Sequence, residues 1–324
     1  MRACVISTPG GPEVLTLADV PEPVPGERQV VIDVRATALN RADLLQRRGL
    51  YPPPPGASPL LGLECAGVVK ELGPGVSAAK IGDRVMALLP GGGYAERVAV
   101  HEQLLLPIPE ALDFVQAAAV PEAFLTAMEA LFSLGRALPG EWVLIHAAAS
   151  GVGSTAVKLA RAAGTRVIAT TSERKREFVR GLGPEHVVAR EVDDFSRVVL
   201  EVTEGRGVDV IVDLVGATYF ARHAACLGVL GRHVVVGLVG GAKAEIDLGR
   251  VLARRHTLLG LVMRTRPLAD KIAVVERFRR EWLHRLANGT LAPSIDSVFA
   301  LRDAATAHAR MEANANLGKI VLEV

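Results

Sequence analysis

Residues 141–164 read E-W-V-L-I-H-A-A-A-S-G-V-G-S-T-A-V-K-L-A-R-A-A-G, and the parsing of that stretch decides the fold. Residues 142–146 are a short apolar run, as a buried parallel strand requires. Small residues and two glycines, Gly151 and Gly153, follow. Beyond them Ala156, Leu159, Ala160 and Ala163 share one helical face, and Gly164 closes the helix. Strand, glycine turn and helix let backbone N–H groups approach a pyrophosphate at a helix N-terminus. Ala148 and Ser150 stand where the usual G-x-G-x-x-G spelling has glycine. Taken alone, the turn therefore admits either a dinucleotide or an ordinary tight connection.

The rest of the chain sets bounds on that choice. Its 324 residues suffice for two domains, and with 50% apolar residues a sizeable core is easily supplied. The formal net charge is +2, with no long single-sign run, so neither nucleic acid nor a membrane surface is expected as a partner. No apolar stretch approaches a membrane span. The N-terminus reads as a strand without a signal-peptide pattern. Cys4, Cys65 and Cys226 are far apart and odd in number, which argues against a disulfide framework and fits a cytoplasmic setting.

Outward from the turn, the pattern changes near Pro121. Before it, short strands are expected at 3–6, 15–20, 30–39, 66–72, 84–88, 95–100 and 104–108, cut by Pro/Gly clusters. That arrangement suggests a barrel-like β domain. A helix over 41–48 with Asn40 as its N-cap interrupts it. After Pro121, and a helical stretch at 125–134, strands at 142–146, 166–170, 186–189, 209–214, 233–237 and 257–262 alternate with helices. Those helices are expected near 153–163, 173–181, 194–203, 218–227 and 247–254, and the alternation implies a doubly wound parallel sheet. The tail reads as helix at 267–288, strand at 297–300, helix at 302–311 and strand at 319–324. It is expected to fold back on the first domain, giving 1–121 and 267–324 around a nucleotide-binding domain at 122–266.

A dinucleotide site also needs a reader of the adenosine ribose at the end of the second strand. An acid there bonds the NAD 2′-hydroxyl, whereas a basic or small polar cluster accepts a 2′-phosphate. The stretch is T-T-S-E-R-K-R at 170–176, with no Asp at the strand tip and three cations after Ser172. Charge-assisted bonds to a phosphate favour NADPH. Glu173 leaves the hydroxyl reading open, and a solvated first turn of a helix is the alternative, for Arg176 especially. No Cys/His pair has zinc-ligand spacing, His146 reads as structural, and no metal is expected. Ser150 lies in no nucleophile elbow. Hydride transfer remains, where the cofactor carries the chemistry and the protein supplies position and shape.

These features sit among longer motifs: G-G-P-E-V-L at 10–15, A-L-N-R-A-D-L-L-Q-R at 38–47, P-P-P-P-G-A-S at 52–58, L-G-L-E-C-A-G-V-V at 61–69, A-L-L-P-G-G-G-Y-A at 87–95, Q-A-A-A-V-P-E-A-F-L-T-A at 116–127 and M-E-A-N-A-N-L-G-K-I-V-L at 311–322. In this order and spacing the chain resembles the zinc-independent medium-chain dehydrogenase/reductases. Within them it is most similar to NADPH-dependent quinone oxidoreductases of the p53-inducible quinone reductase type. The resemblance implies an α/β fold, a GroES-like β-barrel catalytic domain plus a Rossmann doubly wound parallel sheet. The resemblance also implies that the cysteine and histidine which zinc-dependent relatives place near Asn40 and Leu63 are missing here.

The resemblance also implies a site. Asn40 and Thr126 would stand near the nicotinamide, and Ala149, Ser150, Gly151, Val152 and Gly153 would take the pyrophosphate. Ser172, Arg174 and Lys175 would approach the 2′-phosphate. Arg190 replaces a common tyrosine and is read either as a phosphate ligand, the slightly favoured reading, or as a solvent residue. Gly216, then Gly237, Leu238, Val239 and Gly240, then Leu261 and Met263 would pass beside ribose and nicotinamide, and Asn316 and Lys319 would close the site. Tyr51 matches a tyrosine at the substrate cleft, where it is either a hydrogen-bond donor to a quinone oxygen or a rim aromatic. The expected function is metal-independent NADPH:quinone oxidoreductase. The rivals are an enoyl-thioester or alkenal reductase and a catalytically weak NADPH-binding protein. A homodimer is expected through the apolar edge strand near Leu258.

Overall fold

Short apolar runs broken by proline and glycine make the beginning of the chain mostly strand. The computed structural model describes residues 1–324. It divides into one unit of Met1–Leu125 with Met263–Val324 and a second of Thr126–Val262. In the first, β1 (Arg2–Ile6) and β2 (Leu15–Asp19) pair antiparallel. The spine of the larger sheet is β3 (Gln29–Ala38), buried along most of its length. β4 (Glu64–Leu72) and β6 (Arg97–His101) pair antiparallel with it, and β5 (Arg84–Leu88) and β7 (Leu105–Pro107) extend the sheet beyond β4. The helix α1 (Arg41–Arg47) leaves β3 at once, because the Asp43 carboxylate accepts the Asn40 amide at 2.7 Å and fixes the turn. A short helix, α2 (Phe114–Ala118), capped by Asp113, stands where the sequence reading has no element. α3 (Pro121–Met128) then continues as a π-helical segment, Glu129–Leu134.

The second unit carries the alternation. Its strands are β8 (Trp142–Ile145), β9 (Arg166–Thr171), β10 (His186–Ala189), β11 (Val208–Asp213), β12 (Leu227–Val235) and β13 (Thr257–Gly260). Between them run α4 (Gly151–Ala162), α5 (Arg176–Gly181), α6 (Phe195–Val202), α7 (Phe220–Cys226) and α8 (Leu248–Arg254). All strand pairs are parallel, in the order β10-β9-β8-β11-β12-β13. The strand order reverses between β8 and β11, so the ligand crevice of such a sheet opens at the carboxyl ends of those two strands. β12 begins earlier than the 233–237 reading. Leu230 in the left-handed region (φ 61°) and a register shift against β11 interrupt its periodicity. One face of the sheet buries Trp142, Leu144, Ile168, Phe195, Val199 and Ile211.

The tail belongs to the first unit. α9 (Leu268–Glu281) and α10 (Leu283–Ala287) replace the single helix read at 267–288, because Trp282 leaves the helical region (φ −130°) as it packs inward. β14 (Ile295–Ala300) and α11 (Ala304–Glu312) lead to β15 (Lys319–Glu323). β15 lies antiparallel on β3, with Val321 opposite Ala38, and parallel to β14. Its Ile320 and Leu322 join Leu39, Leu44, Leu61 and Tyr94 in one core. No helix is long and apolar enough to cross a membrane.

Candidate functional site

In the second unit the turn after β8 is built from close approaches. Ala147 takes φ 47°, and the Ala148 amide donates to Thr170 O at 3.0 Å, tying the turn to β9. Ser150 caps α4, its Oγ accepting the Gly153 amide at 3.0 Å. A Cβ on Gly153 would lie 2.2 Å from Ala147 O, so only glycine lets the helix sit this close to the strand. The first-turn amides of Gly151 and Val152 remain for an anion.

The neighbouring strand ends complete one rim. At the tip of β9 the Ser172 hydroxyl is buried and has no hydrogen-bond partner. Glu173 turns its carboxylate to Arg176 at 3.1 Å, while its amide is held by Glu191 at 3.0 Å. Arg190 is exposed and pairs with Glu191 at 2.9 Å. Arg174 and Lys175 follow Ser172 in a short 3-10 turn. At the end of β11, Asp213 accepts the amides of Val215 and Gly216 at 2.8 and 2.9 Å. Gly216 needs its freedom, since at φ 86° a Cβ would meet Gly241 O at 2.7 Å. Gly237, Leu238, Val239 and Gly240 follow β12, with the two apolar side chains 53% and 64% exposed, and Leu261 follows β13. Thr126 in α3 is buried, and its hydroxyl is likewise unpartnered. Amides at a helix end and orphaned hydroxyls fit a dinucleotide, which supplies the acceptors these groups lack.

The first unit gathers residues far apart in the chain. The Lys319 ammonium, 3% exposed, donates to Leu39 O at 2.7 Å, Asn40 Oδ1 at 2.8 Å and Glu64 Oε1 at 2.6 Å. Asn40 Nδ2 donates to the same Glu64 oxygen at 2.8 Å, and Glu64 Oε2 accepts the Glu122 amide at 2.8 Å. This cluster does not fit a zinc ion. Leu63 is buried and has no donor atom, and the oxygens that would face a metal already face an ammonium. Burial, and Glu64 beside it, push the Glu122 carboxyl up to about 8, so it holds its proton at neutral pH. Burial likewise raises Asp43 to about 6.

Tyr51 stands in a different setting. Its carbonyl accepts Arg264 Nη1 at 3.2 Å, and that guanidinium lies 5.2 Å from the ring centroid. Arg264 also donates to Pro90 O at 2.8 Å and Gln46 Oε1 at 2.7 Å. Burial raises the Tyr51 phenol, and Arg264 opposes the rise. Met263 is buried, and Asn316 Nδ2 turns back to Gly318 O at 2.7 Å.

Of the residues named from sequence, the structure brings Asn40 and Lys319 into contact. It sets 149–153, 172, 216, 237–240 and 261 after strand ends on one edge of the parallel sheet. Glu64, Glu122 and Arg264 were not anticipated. For the two glutamates the signal was a lone acid inside an apolar run, L-G-L-E-C-A and V-P-E-A-F-L, where burial demands a partner.

The models of two families match the chain: "Alcohol dehydrogenase GroES-like domain" over residues 26–110 and "Zinc-binding dehydrogenase" over 151–279. One polypeptide of the phenolphthiocerol/phthiocerol polyketide synthase of Mycobacterium tuberculosis is 34% identical over 320 residues, covering 98% of this chain and 14% of that protein. The chain thus spans about a seventh of the length of that relative. The synaptic vesicle membrane protein VAT-1 homolog of Rattus norvegicus is 33% identical over 339 residues, covering 99% of this chain and 84% of that one. Among solved structures, a Pseudomonas syringae quinone oxidoreductase superposes with TM-score 0.90 at 32% identity over 100% of this chain and 99% of its own. An NAD-dependent alcohol dehydrogenase gives 0.89 at 33%, with both chains fully covered. The CurK enoyl reductase gives 0.88 at 29% over 99% and 98%. With a GroES-like first unit and a parallel Rossmann sheet in the second, this chain belongs to the medium-chain dehydrogenase/reductase family of nicotinamide-dinucleotide-dependent oxidoreductases.

Proposed function

We propose that the chain is an NADPH-dependent, metal-independent reductase of quinones or related conjugated carbonyl compounds. The observation that carries the cofactor choice is Ser172. Its buried, unpartnered hydroxyl sits at the tip of β9, two cations follow it, and the acid next to it in sequence, Glu173, is turned to Arg176. Bound on the second unit, the dinucleotide supplies a hydride. Gly151 and Val152 would hold its pyrophosphate with main-chain amides, and Ser172, Arg174 and Lys175 its 2′-phosphate. Arg190 is left to Glu191 and to solvent. In the first unit Asn40 is fixed at both ends of its amide, to Lys319 and to Glu64. Tyr51, its backbone anchored by Arg264, donates its phenolic proton toward the acceptor oxygen. Fluorescence titration of an Arg174→Ala/Lys175→Ala variant is the test. NADPH affinity should fall about 10- to 100-fold with NADH affinity unmoved; equal losses for both would reject the 2′-phosphate role.

A second reading has its own support. Reduction of an enoyl thioester needs an acid to protonate the α-carbon, and Glu122 keeps its proton up to about pH 8. The polyketide synthase relatives and the enoyl reductase structure are similar over nearly the whole chain. Turnover of 1,4-naphthoquinone against crotonyl thioester, in the parent and in Tyr51→Phe and Glu122→Gln, separates the two. Quinone reduction should depend on Tyr51 and enoyl reduction on Glu122.

We further propose a cytoplasmic homodimer joined through β13. That strand is an edge of its sheet, and Leu258 within it and Val262 just after it are 50% and 45% exposed. A monomer in sedimentation at micromolar concentration would remove this proposal.

A further inference from the structure

Beneath the rim of the second unit lies a polar island that hydride transfer does not use. Asp213 at the end of β11, His223 in α7 and His233 in β12 are buried and converge. Asp213 Oδ2 lies 2.9 Å from His233 Nε2 and 3.5 Å from His223 Nδ1, and the three donor atoms are all within 4.8 Å of one another. His223 Nδ1 is wholly buried, on a side chain 1% exposed, and makes no hydrogen bond. The far side of that ring is already engaged. His223 Nε2 meets His146 Nε2 at 2.8 Å, and His146 Nδ1 meets Thr170 Oγ1 at 2.8 Å. In the tautomer that carries its proton on Nε2, toward His146, His223 Nδ1 turns a bare lone pair to the Asp213 carboxylate, an arrangement that a bound cation relieves.

We propose that Asp213, His223 and His233 form a site for one divalent transition-metal ion of the zinc type. Tetrahedral zinc bonded at about 2.0–2.1 Å sets its donors roughly 3.3 Å apart, close to the two shorter separations here. The second shell is in place. His146 Nε2 stands 2.8 Å from the outer nitrogen of His223, placed to accept its N–H once Nδ1 binds the ion, and the amides of Val215 and Gly216 fix Asp213 Oδ1 so that Oδ2 points inward. Coordination through His233 Nε2 requires the tautomer that carries the ring proton on Nδ1, so the proton moves across the ring as the ion enters and Asp213 Oδ2 turns from His233 to the ion. A cavity of about 180 Å³, lined by Phe220, His233, Asp247, Arg250, His256 and Leu258, reaches the His233 side of the cluster. The ion would pin β11, β12 and α7 together beneath the loop that carries Gly216.

The test needs neither dinucleotide nor substrate, so its outcome is independent of the proposed reductase function. The full chain is stripped with a chelator, dialysed, and given zinc chloride or cobalt(II) chloride alone. One ion per chain by elemental analysis, a higher melting temperature and tetrahedral cobalt absorption are expected. His233→Gln and His223→Leu should lose the ion, and His146→Gln should weaken it about 10- to 100-fold. Should a variant fail to fold, the cobalt spectrum of the parent chain decides. Absence of uptake by the parent at millimolar metal, or equal uptake by a folded His233→Gln, overturns the proposal.

Discussion

The two units build their polar interiors in opposite ways. The second prepares the rim proposed for the dinucleotide from neighbours in sequence: Ala147 to Gly153 form one turn, and the groups facing outward are main-chain amides. The first assembles Asn40, Glu64, Glu122 and Lys319 from four elements, and Lys319 lies 279 positions from Asn40. A local turn tolerates no added volume, because backbone packs on backbone. A cluster of distant charges tolerates shape changes better than the loss of one charge. The contrast is one of failure modes, steric in one unit and electrostatic in the other.

The largest expected effect is therefore electrostatic. Lys319→Met leaves Glu64, wholly buried, without its cation. Removing one partner of a buried pair costs about 3–5 kcal/mol. Urea unfolding should show that loss, and Glu64→Gln/Lys319→Met together should recover much of it. Equal destabilisation in the single and double variants would mean that packing, not charge, dominates there.

Next comes the steric counterpart. Gly153→Ala places a methyl 2.2 Å from Ala147 O, against backbone that has nowhere to move. Binding of the proposed NADPH cofactor, followed by fluorescence, should fall by at least about tenfold, which at 1.4 kcal/mol per decade is a modest share of such a clash. An unchanged affinity would show that α4 can slide off the strand.

This contrast also explains what was legible in the sequence. The turn at 147–153, the Asn40 cap and the alternating strands were readable because their signals span few residues, and hydrophobic period and glycine placement encode them directly. The break at Trp282 was not, because a side chain packing inward ends that helix rather than a proline or glycine. The early start of β12 was hidden by Leu230 at positive φ, a conformation leucine does not advertise. The partners of Glu64, Glu122 and Arg264 became visible only once the sheet had joined the tail to the first strands. Asp213, His223 and His233 escaped for the same reason. No ligand spacing links them in sequence, and the parallel order of β11 and β12 brings them together.

A smaller effect sharpens the electrostatic side. The Glu122 carboxyl is raised from its ordinary 4.5 to about 8, chiefly by burial and then by Glu64. Between those values the folded chain keeps a proton that the unfolded chain has released, so stability falls as pH rises through the window. Glu122→Gln removes that slope. The melting temperature of the variant should exceed the parent's by more at pH 8.5 than at pH 5.5. A parallel offset at all pH values would mean that Glu122 titrates normally.

The smallest effect returns to the turn and separates its two constraints. Ala147 and Gly153 are both small and six residues apart, yet they are small for different reasons. At Gly153 a neighbouring carbonyl forbids a side chain. At Ala147 a side chain is present, and the cost is conformational, since φ 47° crowds its Cβ. That strain is about 1–2 kcal/mol for an L-residue, while glycine gives back about 0.4–1 kcal/mol through the freer unfolded chain. Ala147→Gly should then raise unfolding stability by about 1 kcal/mol or less, with dinucleotide affinity unchanged, in contrast to Gly153→Ala nearby. A loss of stability instead would show that the Ala147 methyl makes contacts worth more than its backbone strain, and that packing sets both ends of the turn.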